Sequence, residues 1–268
     1  MIYKTDYHVH SWFSDGRAAP EDYIAPALEA GLKELGFSEH LTLFEKNLDW
    51  SMNARKAYRY LEHMKVFREN NHDITVRTGL EVDYIEGREK EINSFLKKAD
   101  IDYVIGSVHF LGESTVDMGP EFYAGKDIDR LYVVYFEQVA SAAASGLFDI
   151  IAHPDLIRIY GFTPSFDLEP LYRKLAASFK KHDVAFEINT NGRNRPIADF
   201  YPDRRYLKFF REEGVPVCVN SDAHMPSRVA QYFDEAYELL RNTGYTEMAV
   251  FKDRERFMIQ IGRASCRE

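Results

Sequence analysis

His8 and His10 stand one residue apart after an apolar, strand-like start, in Asp6-Tyr7-His8-Val9-His10, and Asp15-Gly16 follows closely. In an extended strand, residues i and i+2 project to one side, so the pair would aim two imidazoles at one point. Imidazole is a ligand for zinc, iron and manganese-type ions. The pattern recurs along the chain. Glu39-His40, Leu80-Glu81-Val82-Asp83, His109, His153, Glu187 with Asn189, and Asp222 with His224 each close a short apolar run. Of nine histidines, six (His8, His10, His40, His109, His153 and His224) fall at or just past such a run. His63, His72 and His182 lie in or at the ends of predicted helices and read as ordinary helix or surface histidines.

So many ionisable groups cannot share a pocket without a counter-charge, and metal ions supply one by turning imidazoles and carboxylates into ligands. His8, His10, Asp15, His40, Glu81, His109, His153, Asp222 and His224 are too many for one tetrahedral ion. At about four ligands per ion they suit two or three. With three carboxylates among them, such a site stays cationic and attracts a phosphate dianion. Arginines near the same loops, Arg17, Arg158, Arg193 and Arg195, have the fork geometry to hold phosphate bidentately, although a solvated loop arginine is the plainer reading of each. Glu187, Asn189 and Asn191 are placed to recognise the amine or alcohol of a substrate. The plainer reading of Glu187 is a strand-end carboxylate paired with a neighbouring arginine. Phe37, Phe110, Phe162 and Phe166 read as core more readily than as pocket walls. Trp12 and Phe13 are candidates for part of a lid.

The elements that must position these groups alternate in type. Strands are predicted at 2–8, 34–38, 74–82, 103–108, 148–152, 184–188 and 216–220. Helices are predicted at 20–30, 53–70, 88–99, 127–145, 168–181, 203–213 and 227–241. Gly31, Gly146 and Gly214 stand where helices end. Polar loops fill 40–52, 109–125, 153–167 and 189–201, and 247–261 reads as a short strand and a last helix. Short strands separated by helices imply parallel βα units. Seven units without a nucleotide-type glycine fingerprint favour a barrel over an open sheet, and parallel barrels carry their chemistry at the C-terminal strand ends.

The 268 residues are 45% hydrophobic and 29% charged, enough core for one domain at 1–262, followed by a polar tail at 263–268 read as disordered or an expression remnant. No apolar run reaches the roughly 18 residues of a membrane span, and the N-terminus enters a strand pattern directly, without a signal region. Cys218 and Cys266 lie far apart, so no disulfide framework is expected and the cytoplasm is the simplest setting. Cys218 sits in an apolar run and reads as a buried small hydrophobe. The net charge is −9 and no basic stripe is present, which argues against a nucleic-acid partner. The sequence does not give the oligomeric state.

His8-x-His10 with Asp15-Gly16, Gly36-Phe-Ser-Glu-His40, Gly79-Leu-Glu81, Gly106-Ser-Val-His109, Ala152-His153-Pro154 and Ser221-Asp222-Ala-His224 resemble, in order, the motifs of the polymerase-and-histidinol-phosphatase (PHP) superfamily. The resemblance implies a distorted (β/α)7 barrel with a trinuclear metal centre. Gly79-Leu-Glu-Val-Asp-Tyr84, His153-Pro-Asp-Leu-Ile-Arg158 and Glu187-Ile-Asn-Thr-Asn-Gly-Arg193 resemble the monofunctional histidinol-phosphate phosphatases within it. It implies one ion on His8, His10, Glu81 and Asp222. Glu81 as a bridge would share a second ion with His109 and His153, and Asp15, His40 and His224 would hold a third. Some members carry His where this chain has Asp15, which leaves the choice among zinc, iron and manganese open. The resemblance also favours Arg158 and at least one of Arg193 and Arg195 as substrate ligands. The expected activity is hydrolysis of L-histidinol phosphate in histidine biosynthesis, with Asp222, Glu81, His10 and His224 as the catalytic set. Asp222 and an ion-bound water compete as proton donor to the leaving alkoxide. Alternatives are a PHP phosphoesterase for a sugar phosphate, nucleotide or cyclic phosphodiester, and a non-catalytic metal-binding accessory domain.

Overall fold

The computed structural model describes residues 3–43 and 48–261. Its parallel strands are β1 (Lys4–Asp6), β2 (Leu32–Leu41), β3 (Thr75–Asp83), β4 (Tyr103–Ser107), β7 (Ile150–Ile151), β8 (Ala185–Asn189) and β9 (Val217–Asn220). They pair in that order, in chain sequence and all parallel. Between them run α1 (Ile24–Glu29), α2 (Ala54–Asn70), α3 (Glu89–Leu96), α4 (Ile128–Ala144), α5 (Glu169–Lys181) and α6 (Leu207–Glu212), and α7 (Phe233–Thr243) follows β9. The strands are buried on both faces, as a parallel sheet wrapped by helices must be. Local chemistry sets the helix ends. Asn53 accepts from Lys56 N and Asp127 from Arg130 N at two N-termini, and Gly244 closes α7 in the left-handed region.

The ring closes imperfectly. Between β9 and β1 the only strand-like pairing among the described residues is the bridge Val9–Ala223, where Ala223 N donates to His8 O (3.1 Å) and His10 N to Ala223 O (2.9 Å). Below it, side chains replace the ladder. Tyr7 N donates to Asn220 Oδ1 (2.9 Å), and Asp6 accepts from Ser221 N (2.9 Å) and Ala230 N (3.1 Å). The result is the expected distorted (β/α)7 barrel, nearly closed and ringed by helices. Tyr7 and Tyr103 fill its lower interior, their rings 5.1 Å apart. Gly36 and Gly79 make room for them, since a Cβ at either would enter the Tyr103 ring.

Several boundaries differ from expectation. β2 runs on through Leu41, so Glu39 and His40 lie inside the strand rather than beyond it. β7 shrinks to two residues, and the helices expected at 20–30, 203–213 and 227–241 begin late, the first opening as a 3-10 turn at Pro20–Tyr23. A small hairpin, β5 (Phe110–Leu111) with β6 (Ser114–Thr115), interrupts the loop after β4. The largest correction concerns 247–261. In place of a strand and a helix, β10 (Glu247–Lys252) and β11 (Glu255–Gln260) form an antiparallel hairpin. Its two-residue turn puts Asp253 and Arg254 at φ 52° and 64°. Asn-Gly normally marks such a turn. Here tertiary contacts hold a turn without glycine: Arg254 N donates to Asp102 O (2.8 Å), and its guanidinium reaches Asp149 and Leu147 O. The tail at 263–268 lies outside the described residues.

Candidate metal centre

Successive strand ends deliver the predicted ligands to one rim. β1 runs into His8 and His10, β2 carries His40 one residue before its end, β3 carries Glu81, β4 leads to His109, β7 to His153, and β9 to Asp222 and His224. Glu81 is the hub. Its Oε2 lies 2.7 Å from His40 Nδ1, 3.1 Å from His8 Nε2 and 3.5 Å from His10 Nε2, and its Oε1 lies 3.1 Å from His153 Nε2 and 3.7 Å from His109 Nε2. Asp222 Oδ1 is 3.4 Å from His10 Nε2 and 3.8 Å from His8 Nε2. Asp15 joins His224 Nε2 (3.1 Å) to His40 Nε2 (3.6 Å). Ligand atoms cluster within 4.8 Å as His10, Asp15, His40 and His224, as His8, His10 and Glu81, and as His40, Glu81 and His109. His10 and His40 thus each stand between two groups, a sharing that the sequence did not suggest. His63, His72 and His182 lie elsewhere, and His63 faces Glu21 at 3.3 Å.

The donor set suits divalent ions on an observation of its own. His8 Nε2, His10 Nε2, Asp15 Oδ1 and Glu81 Oε2 are buried yet have no partner with hydrogen-bond geometry among the described residues. Buried polar atoms are normally satisfied, and here their lone pairs converge. No Lys or Arg pairs with Glu81 or Asp222 among the described residues, so the only counter-charges are the imidazoles. Burial disfavours charge on His40, but the Glu81 and Asp15 carboxylates outweigh it and hold the ring at about 10. Burial, reinforced by His40 and His224, pushes His10 down to about 3. Burial alone would raise Glu81, yet the charges of His40 and His8 keep it well below the usual carboxylate range.

Behind the rim, a second layer orients the rings. His8 Nδ1 meets Glu187 (3.0 Å), His109 Nδ1 meets Asp83 (2.8 Å) and His224 Nδ1 meets Asp222 O (3.0 Å). Such partners fix a ligand's tautomer and raise its basicity. Four expected substrate ligands are placed differently. Glu187 is fully buried and accepts from Asn189, Asn220 and His153 N as well as facing His8, so it supports ligands instead of touching solvent. Asn189 is buried beside it and donates to Glu187 and to Asp222. Arg158 is buried among Asp155 (2.8 Å), Asp199 (3.2 Å) and Asp203 (3.3 Å), its fork already occupied. Arg193 donates to Ala198 O and packs near Phe200 and Tyr232.

A cavity of about 330 Å³ opens over the rim, bounded by six of the candidate ligands and by Trp50, Thr115, Asp117, Met118, Leu156, Ile159, Asn191, Arg195 and Tyr201. A second hollow continues from it past Arg17, Asn194, Arg195 and Arg228. Sequence reasoning missed Trp50, which meets His40 and His109 edge-on at 5.1 and 5.8 Å, and gave Asp83 and Arg228 no role. Asp83 had a signal, since it shares a strand face with Glu81. Trp12 is 62% exposed, Phe37 and Phe110 are buried, and none of the four phenylalanines borders the cavity.

Fold and site together define a parallel β/α barrel built around a metal centre. The chain belongs to the PHP domain family, whose sequence profile matches residues 6–191. It is 35% identical over 246 residues to the "Probable histidinol-phosphatase" of Deinococcus radiodurans, covering 89% of this chain and 93% of that one. To the histidinol-phosphatase of Lactococcus lactis it is 28% identical over 258 residues, covering 92% and 94%. The crystal structure of a histidinol phosphate phosphatase from Lactococcus lactis, complexed with zinc, L-histidinol and phosphate, superposes with a TM-score of 0.82 at 26% identity, over 96% of this chain and all of that one.

Proposed function

We propose that this chain is a metal-dependent phosphomonoesterase that hydrolyses L-histidinol phosphate to L-histidinol and inorganic phosphate, a step of histidine biosynthesis. The observation that carries the reading is the Glu81 hub: one buried carboxylate facing five imidazoles at 2.7–3.7 Å beneath an open cavity. The similarity of the chain to histidinol-phosphatases along nearly its whole length supports the substrate. Three divalent ions (zinc, iron or manganese) would be held by His8, His10, Glu81 and Asp222, by Glu81, His109 and His153, and by Asp15, His40 and His224. When bound they supply Lewis acidity, activating water and neutralising phosphoryl charge.

The chain's own residues do the rest. Asp222 and His224 line the cavity above the buried Glu81 and His10, and together the four form the base beneath the phosphoryl group. Arg195 and Arg17 border the two hollows and hold phosphate oxygens by charge-assisted hydrogen bonds. Glu187 and Asn189 keep His8 and Asp222 oriented. Trp50, Leu156 and Ile159 exclude water from the organic half of the substrate. Water adds to phosphorus, the P–O bond to the alcohol breaks, and the alkoxide takes up a proton. Among the described residues no helix is long and apolar enough to cross a membrane, and the small phosphorylated substrate fits a cytoplasmic setting. Kinetics on L-histidinol phosphate and a panel of sugar phosphates, nucleotides and cyclic phosphodiesters, with metal content measured on the same sample, test the reading. A kcat/KM for L-histidinol phosphate no higher than for the panel would overturn it.

A further inference from the structure

Glu39 precedes the ligand His40 on β2, yet it faces away from the centre and is fully buried. Among the described residues, all four hydrogen bonds to its carboxylate come from one turn of chain. Ser11 N (2.8 Å) and Ser11 Oγ donate to Oε1, and Ser14 N (3.1 Å) and Ser14 Oγ donate to Oε2. It makes no ion pair among the described residues, and burial comes first in pushing its carboxyl up to about 7. A buried carboxylate without a cation is costly unless hydrogen bonds satisfy it. An apolar residue would serve a position that only had to pack.

What the carboxylate gains is the shape of the 11–16 turn. Ser14 N and Gly16 N also return to Ser11 O (3.2 and 3.0 Å). A Cβ at Gly16 would collide with the His10 carbonyl, so the turn is pressed tightly onto the segment after β1 that carries His8 and His10. Asp15 lies between Ser14 and Gly16. Its oxygens stand 3.1 Å from His224 Nε2 and 3.6 Å from His40 Nε2. Two adjacent rungs therefore link β2 to this turn: Glu39 with Ser11 and Ser14, then His40 with Asp15. The lower rung is complete within the protein. The upper one ends in a buried Asp15 Oδ1 that has no hydrogen-bond partner among the described residues.

We infer that Glu39 is a positioning residue that presets Asp15 for one ion of the centre, by clamping the 11–16 turn through Ser11 and Ser14. It touches neither ion nor substrate, and its removal affects one ion selectively. The inference rests on the reading that Asp15, His40 and His224 together hold an ion.

The test is zinc stoichiometry and affinity of wild type and Glu39→Ala, with elemental analysis after equilibration at buffered free zinc. Glu39→Ala is expected to weaken one zinc equivalent about 10- to 100-fold, the usual consequence of losing a residue that orients a ligand, while the remaining equivalents keep wild-type affinity. Activity should fall with that equivalent and return at high free zinc, because Asp15 itself is intact. Glu39→Gln should fall between, since an amide can still accept from Ser11 but meets Ser14 N with its own N–H. If Glu39→Ala does not fold, the double variant Ser11→Ala/Ser14→Ala removes only the two hydroxyl bonds and reads the same selective loss on a smaller scale. Unchanged zinc binding in a folded variant, or equal weakening of every equivalent, would overturn the inference. Wild type that binds no zinc would instead sink the ion-site reading on which it rests.

Discussion

The two ends of the barrel settle three carboxylates each in opposite ways. At the N-terminal end Glu34 accepts from Tyr3, Tyr7 and Arg77, Asp102 faces Arg68 and Arg77, and Asp149 is paired with Arg254. Each acid there has a cation from the protein, and the Asp253–Arg254 turn of the terminal hairpin fastens on top. At the C-terminal rim Glu81, Asp222 and Asp15 have no Lys or Arg partner among the described residues; their charged neighbours are imidazoles, several of whose nitrogens lack a hydrogen-bond partner there. Buried charge is tolerated when paired. A barrel that pairs Glu34, Asp102 and Asp149 with arginines at one end and leaves Glu81, Asp222 and Asp15 to imidazoles at the other keeps that centre for charge that arrives from outside.

That contrast can be broken at either end. Glu81→Ala should do the most damage, cutting kcat/KM about 10³-fold or more and removing bound metal, the scale expected when a principal charge-organising group is lost. Elemental analysis beside kinetics checks it, and a fully active variant would refute the hub. Chelation of the wild type should give the same loss of activity, reversed by adding zinc. At the paired end, Arg77→Ala strands Glu34 without its cation and should cost about 3 kcal/mol. For a chain of this size that is roughly 8 °C in Tm. Zinc content should not change, so a scanning melt with metal analysis separates the two ends. Glu187→Gln should be milder, weakening metal binding about 10- to 100-fold through His8 while leaving the fold intact. The smallest effect is an inertness. Burial pushes the Cys218 thiol up and encloses it fully. In a Cys266→Ser variant, native protein should therefore show no thiol reactive toward a disulfide reagent, and denatured protein one.

The rim was legible in the sequence because strand ends announce themselves. An apolar run followed by His or Asp is a local pattern, and a parallel barrel brings all such ends to one side. The roles of Arg158, Glu187 and Asn189 were not legible. Asp199 and Asp203, which occupy Arg158, lie 41 and 45 positions away, and no local pattern foretells that contact. Glu187 and Asn189 sit at a strand end as ligands do, but their side chains lie beneath the ligand layer, and periodicity cannot supply depth. Glu39 was named beside His40 at the close of a run, but its partners Ser11 and Ser14 lie 28 and 25 positions upstream, and no local pattern foretells that contact. The terminal hairpin escaped because its turn has no glycine and is held by Asp102 and Asp149, more than a hundred residues upstream.

The seam between β9 and β1 has a consequence in time. His8 is the first proposed ligand in the chain and His224 the last, and the side-chain clasp of Asp6 and Asn220 with the Val9–Ala223 bridge brings them together. As the polypeptide leaves the ribosome, its early histidines can offer a passing ion only fragments of a coordination sphere. The site reaches full denticity when the final strand docks against the first. The assembled barrel, with its geometry already set, is what presents the complete candidate donor set to an ion.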